Sequence, residues 1–586
     1  LDFENNDNNQ QGTKKQRREP PTPRARLFRS LLPALVLTLV VVAIFFLKIW
    51  KFDPQYEREA AAAENHLAVM DFNNNVDESD PELLGKIVAN LLITDLSESQ
   101  YISVVTGQHL YDILKQLGRD STKIIDRELA VQAAAGAKAR WVLSGDIIQL
   151  QPHMVIAGQL IETKSGRVVG SLHVTGGENE SVFALVDKLT VAIKKDLSLP
   201  AAALDEPDPA IADITTHSLP AYRYYLTGVE YIYKYFWTNA RFNLSQAVHL
   251  DSTFAPAYAR LAFIADDDNF QREMISKAVE YADHVGINER YYILGLDAYI
   301  THDYARAIEN FQKLIERSPD NKTADYYLAV IYRSAMGQND KAVDYLNKLI
   351  EIDPHYRRAY NLLAYTYDAL GEFDKSISAI NEYISLVPDE ADPYDSRGDI
   401  YAFNGQLDKA IASYKKALQI KPDFEITPGK LGHMYLFKQD YARAESLFQA
   451  LASSPERVAR SSGRASLADV LVHEGKFKEA LDQWNYCIKT DSLELGPGPI
   501  VANRIMTRID IYIRLNLLKT AEKEVKRLSD LYTLSHVIKE WVHVIRGYDA
   551  WISAAGGDYK TADSLLEGVE SHIDKKNASQ VKLYEL

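Results

Sequence analysis

From about residue 218 onward, apolar positions recur with the 3.6-residue period of amphipathic helices, in short segments separated by polar turns. Pro319, Pro354, Pro388 and Pro422 lie 35, 34 and 34 residues apart, which predicts an internal repeat of helix-hairpin length. Residues 65–200 follow another pattern. Residues 66–72 (HLAVMDF), 102–105 and 141–145 read as strands, and 154–161 and 168–174 flank the turn TKSG like a hairpin. Between and after them, residues 81–96, 110–117, 128–139 and 181–197 carry helical periodicity, with Leu83, Leu84, Ile87, Leu91 and Leu92 on one face of the first. Strands alternating with helices predict a layered α/β domain. Near the start, residues 30–47 (SLLPALVLTLVVVAIFFL) carry no charge and, extended to Trp50, approach the roughly 20 residues that cross a bilayer. The expected fold class is therefore mainly α: a helical solenoid preceded by a small α/β domain and one transmembrane helix.

The clearest repeat spans residues 391–422, where Tyr394, Gly398, Tyr401, Gly405, Leu407, Ala410, Tyr414, Ala417 and Pro422 occupy positions 4, 8, 11, 15, 17, 20, 24, 27 and 32 of the unit. Small residues let two helices approach, aromatics fill the space between hairpins, glycine makes the turn and proline ends the second helix. This pattern resembles the tetratricopeptide repeat (TPR). Leu363, Ala364, Tyr367, Gly371, Phe373 and Pro388 repeat it upstream, and Leu431, Gly432, Tyr435, Ala444 and Phe448 downstream. Degenerate units extend the array over residues 218–570, roughly nine or ten hairpins, with 571–586 left as a tail.

Such arrays curve, and the resemblance implies that repeat positions 2, 5, 9, 12 and 13 of each first helix line the concave side. Here these are Tyr292, Leu296, Tyr299, Tyr326, Val330, Arg333, Arg358, Asn361, Tyr365, Asp368, Asp392, Asp395, Asp399 and Phe403, a lining expected to be aromatic early and acidic around residues 392–399. Lys and Asn are not placed as in the carboxylate clamp of chaperone-binding relatives. An extended protein or peptide segment is the expected ligand.

In residues 65–200, the segments LAVMDFNNNVDESDPE (67–82), AAAGAKARWVLSGDI (133–147) and GQLIETKSGRVV (158–169) resemble the TolB-like amino-terminal domain of bacterial envelope and signalling proteins, related to the FlgO and CsgG group. That resemblance implies a binding or assembly domain and no chemistry. Asp71, Asn73, Asn75, Asp77, Ser79 and Glu82 fall at the ligand spacing of an EF-hand calcium loop, but Val76 stands where the loop needs glycine. The reading preferred is a polar strand-to-helix loop with Ser79 or Asp80 as helix cap.

Charge orients the apolar span. Lys14, Lys15, Arg17, Arg18, Arg24, Arg26 and Arg29 precede it, against Lys48 and Lys51 after it, which predicts a cytoplasmic N-terminus and an extracytoplasmic, periplasmic bulk on a single-pass inner membrane protein. Residues 1–29 are too polar to fold alone and read as a disordered cytoplasmic linker. A cleaved signal peptide is the rival reading, with AAAA at 60–63 the nearest cleavage-like sequence. Because the sequence opens on Leu1 and not Met, a second functional reading stands beside the scaffold: the sensory part of a transmembrane regulator whose Ser/Thr kinase or winged-helix DNA-binding domain lies upstream.

The remaining composition narrows the function classes. A net charge of −15 argues against nucleic-acid binding, and the single cysteine, Cys487, reads as a small core residue that rules out an intramolecular disulfide framework. The chain carries no phosphate-binding loop, nucleophile elbow, kinase loop or HExxH zinc helix, so neither catalytic residues nor a metal or cofactor is expected, and no small-molecule substrate. The function expected is a membrane-anchored protein-interaction scaffold.

Overall fold

The computed structural model describes residue 58 and residues 61–573, apart from short stretches at 78–79, 120–123, 179, 198, 235, 266, 423, 425–426, 497 and 535–540. The expected linker, membrane span and tail at 1–29, 30–50 and 571–586 fall wholly or mainly outside the described residues. Among the described residues, no helix is long and apolar enough to cross a membrane.

The α/β module places six strands in one sheet, ordered β3-β1-β4-β5-β6, with β2 pairing beside β4. These strands are β1 His66–Val69, β2 Asn73–Asn74, β3 Ser103–Val104, β4 Trp141–Gln149, β5 Val155–Glu162 and β6 Arg167–Thr175. β1 lies parallel to both β3 and β4, as βαβ crossovers require, and β4–β5–β6 form an antiparallel meander. The period of two along β1 decides the layers. Leu67 and Val69 face a core shared with α1 (Leu84–Leu96) and α4 (Val182–Asp196). Ala68 and Met70 face the other side, against α2 (Gly107–Gln116) and the alanine-rich α3 (Arg127–Gly136).

The first of these helices begins at Leu84 and not at Pro81, because the Asp80 carboxylate accepts from the Leu84 and Gly85 N–H groups at 3.0 Å and caps the helix there. The calcium-like spacing is consumed by the same loop. Asn73 donates to Asp146 and to the Ile125 carbonyl from within a strand, and Glu82 pairs with Arg223.

After the short helix α5 (Ala201–Leu204), twenty α-helices among the described residues run from α6 (Leu219–Tyr233) to α25 (Tyr559–Ile573), forming ten antiparallel hairpins. The hairpin of α16 (Asp392–Phe403) and α17 (Leu407–Ile420) shows why they close. A Cβ added at Gly398 would sit 2.4 Å from the Tyr414 ring, so the aromatic of the second helix occupies the space glycine vacates. Gly432 and Phe448 repeat the pair one unit on, again at 2.4 Å. Asp303, Asn321 and Asp440 cap helices of other units by accepting from the backbone three residues on.

The module and the solenoid share a core. Phe183 meets Tyr222 of the first hairpin edge-on at 6.3 Å, and the apolar cluster of α1 and α4 continues without a break through the first hairpins. A polar seam prolongs this junction. Arg317 donates to the Ser97 and Glu98 carbonyls at 3.1 and 2.8 Å, and Glu98 in turn accepts from the Ile287 N–H at 3.0 Å. Asp320 accepts from the Thr106 N–H at 3.0 Å and faces His109 Nδ1 at 3.3 Å. Lys322, buried to 2% exposure, bridges Asp112 of α2 and Asp353 of the solenoid, the latter at 2.8 Å.

Candidate protein-binding groove

Two adjoining cavities lie along the solenoid, the larger where α2 of the module faces the first helices of successive hairpins. The larger, of ≈ 720 Å³, is lined by Thr106, Tyr111, Asp112 and Lys115 from α2 and by Arg260, Tyr292, Lys322 and Tyr356 from the solenoid. The second, of ≈ 630 Å³, is lined by Arg241, Tyr326, Asn361, Tyr365, Tyr383 and Asp392. Trp237, Phe263, Arg357 and Arg358 belong to both, so the two are lobes of one groove.

Residues expected from the repeat register fall both in the two lobes and outside them. Tyr326, Arg358, Asn361, Tyr365 and Asp392 line the second lobe and Tyr292 and Arg358 the first. Leu296, at 1% exposure, is a core residue, and Tyr292 is buried with the Arg260 guanidinium 4.1 Å above its ring. Tyr299 packs edge-on against Tyr327 at 4.9 Å, and Val330 is half-buried. Phe403 is 69% exposed and lines neither lobe.

Of the acidic stretch expected at 392–399, Asp392 lines the second lobe, and Asp395 and Asp399 line neither. Asp395 is buried and accepts from Thr427 and from Lys430, both at 2.6 Å. Asp399 accepts from Tyr365, Tyr414 and Lys430 at 2.8, 2.8 and 2.7 Å. Burial and the neighbouring Asp399 push the hydroxyls of Tyr365 and Tyr414 well up, so both remain donors. Asp392 accepts from Tyr383 at 2.8 Å, and Asp368 accepts from Asn404 at 2.6 Å. These carboxylates tie one repeat to the next.

The groove instead presents arginines set on aromatic faces. Arg358 lies 4.3 Å above the Tyr326 ring and 5.7 Å from that of Phe263. Such stacking fixes a guanidinium plane and directs its N–H edges sideways, the orientation that suits planar acceptors. Asn361, which lines the second lobe, and Arg333, which lines neither, each hold a buried polar atom, Oδ1 and Nε, with no hydrogen-bond partner among the described residues. Burial lowers the Arg333 guanidinium from its ordinary pKa, with Tyr365 and Asp368 opposing. Residues such as Trp237, Arg241 and Lys115 escaped the sequence reading because the first two stand on the second helix of the first hairpin and the third on another domain, outside the first-helix register used to find the groove.

Among the described residues, no group of three or more His, Cys, Asp or Glu side chains is placed to hold a metal ion. Family models described as tetratricopeptide or TPR repeats match residues 292–357, 333–396 and 398–436, so the chain contains TPR repeats. No curated protein matches the sequence. Among solved structures, a thermophilic TPR protein of Thermus thermophilus is 25% identical over 32% of this chain and 99% of its own, with a TM-score of 0.27. A MamA protein is 25% identical over 29% of this chain and 96% of its own, with a TM-score of 0.26. MamA of Desulfovibrio magneticus is 17% identical over 28% and 92%, also with a TM-score of 0.26.

Proposed function

We propose that this protein is an interaction scaffold, held by residues 30–50 on a membrane and displaying its TPR groove outside the cytoplasm, with the TolB-like module as a fixed wall of that groove. The observation that carries the reading is the two-lobed cavity along the first helices of the repeats, where Tyr326, Arg358, Asn361 and Tyr365 converge. A concave, partly preformed surface with an apolar base and a few oriented polar groups suits an extended peptide. The topology follows from the basic flank before the apolar span.

Proximity labelling in native membranes, with a labelling enzyme fused after Leu586, tests both parts. A defined set of extracytoplasmic proteins is expected, and filling the second lobe by Asn361→Trp should remove most of it. Labelling confined to cytoplasmic proteins would overturn the topology. A set indifferent to Asn361→Trp would overturn the groove.

A further inference from the structure

The sheet of the module ends on two unlike edges. β3, Ser103–Val104, is 2 residues long, the kind of short edge by which natural sheets discourage further pairing. β6, Arg167–Thr175, is 9 residues long and forms the other edge. A bulge near Leu160 interrupts its start, after which residues 170–175 run in unbroken register against 155–160. No Lys, Arg, Asp, Glu or Pro stands between Val168 and Thr175, so the side chains that usually guard an exposed edge are missing from this one.

The backbone groups on that edge follow from the ladder. The Gly176 N–H donates to the Met154 carbonyl at 2.8 Å, which makes this facing pair a bonded one. Bonded and non-bonded pairs alternate along an antiparallel ladder, so Val174, Leu172 and Gly170 turn their N–H and C=O groups towards β5. Ser171, His173 and Thr175 turn theirs away from it, and all three residues are exposed. Among the described residues, no further strand pairs with them.

This outward set is symmetric about His173. A second β6 laid antiparallel, with a two-fold axis through His173, sets Ser171 opposite Thr175 and His173 opposite its own copy, each facing pair exchanging two N–H···O=C bonds. On the α4 side, Leu172 of one copy then meets Val174 of the other, and both belong to the core shared with α1 and α4. Charge is complementary about the same axis. With the bulged residue counted, Arg167 of one copy comes level with Glu178 of the other, and both are exposed.

We propose that β6 is a homotypic docking edge, through which two copies of this chain join their modules into one continuous sheet and present two TPR grooves per assembly. The pairing does not depend on what fills the groove.

Sedimentation of the full chain in detergent micelles, with two substitutions at the edge, tests this. The parent should sediment as a concentration-dependent dimer. Ser171→Pro removes an outward N–H and none that serves β5, so its circular dichroism melt should match the parent while its dimer dissociation constant rises about tenfold or more. Mild oxidation of His173→Cys should give a disulfide-linked dimer, because the axis brings the two side chains face to face within disulfide reach. Cys487 is fully buried and does not compete. Ser165→Cys, exposed in the turn between β5 and β6 and off the axis, should cross-link far more slowly. A parent that stays monomeric at every concentration overturns the proposal. So does a dimer indifferent to Ser171→Pro, or one in which His173→Cys cross-links no faster than Ser165→Cys, since another surface would then hold it.

Discussion

In eight of the ten hairpins, among the described residues, the chain between the two helices passes through the left-handed backbone region at a single residue. That residue is Gly337, Gly371, Gly405, Gly475 or Gly557 in five units, with φ of 63°, 75°, 69°, 76° and 86°, but His302, Gln439 or Asn516 in three others, with φ of 64°, 61° and 56°. A side chain there sets its Cβ against the following carbonyl, a cost of about 1–2 kcal/mol that glycine avoids. Glycine also loses more freedom on folding, which offsets about half of the gain. Gln439 is exposed, so its side chain has little packing to lose. Gln439→Gly should stabilise the array by roughly 0.5–1 kcal/mol, seen as a higher urea midpoint at unchanged slope. An unchanged or lower midpoint would mean that the turn carries no such strain. At this scale the sequence was informative only where a residue acts through its own backbone. Gly405 announced its turn, whereas Asp395 and Asp399 were read as groove lining because their partner, Lys430, stands on the following repeat.

Between elements, what a sequence shows is the side chain's size and what it hides is its charge state. The contact of Gly398 with Tyr414 could be anticipated from the spacing of small and aromatic residues, and the ring sits where that spacing requires. The packing of α1 on α4 holds something the periodicity did not reveal. Asp95, at the end of α1 and 2% exposed, accepts a hydrogen bond from Thr190 of α4. Burial raises its pKa from 3.8 to about 7, with the Thr190 bond and Lys194 opposing and Asp208 and Asp187 adding to the rise. A carboxyl group whose folded pKa lies above its unfolded one favours folding most below the unfolded value, and that contribution is lost as pH rises through about 7. The window therefore runs from the unfolded value of 3.8 to about 7, with stability falling as pH rises. Asp95→Asn keeps an acceptor for Thr190 and removes the titration. Denaturant unfolding should find it about equal to the parent near pH 4 and about 2 kcal/mol more stable near pH 8. A parent and variant with parallel pH profiles would place the charge of Asp95 in a solvated setting instead.

Across the whole molecule, the α/β module and the solenoid were legible as separate units but their union was not. Each unit declares itself by its own period, two along the strands and 3.6 along the helices. The seam between them is made of side chains such as Arg317, Asp320 and Lys322, which in the sequence look like ordinary charged residues near the ends of helices. The seam matters because α2, which it holds, is also one wall of the groove. The apolar contact at Phe183 and Tyr222 should keep the module attached when the polar seam is cut, so the consequence is local opening and not separation. Replacing both Arg317 and Asp320 by alanine removes bonds to Ser97, Glu98 and Thr106 without touching the apolar contact. Hydrogen–deuterium exchange across residues 107–116 should then accelerate about tenfold or more, given the strength of hydrogen bonds to charged groups, while β4 to β6 keep their protection. Unchanged exchange in 107–116 would show that the seam adds no stability and that the groove wall stands on the apolar contact alone. Acceleration confined to that helix would instead make the wall the least stable part of an otherwise continuous core, so that a ligand touching both walls would bind more tightly to the closed form and hold the module in place.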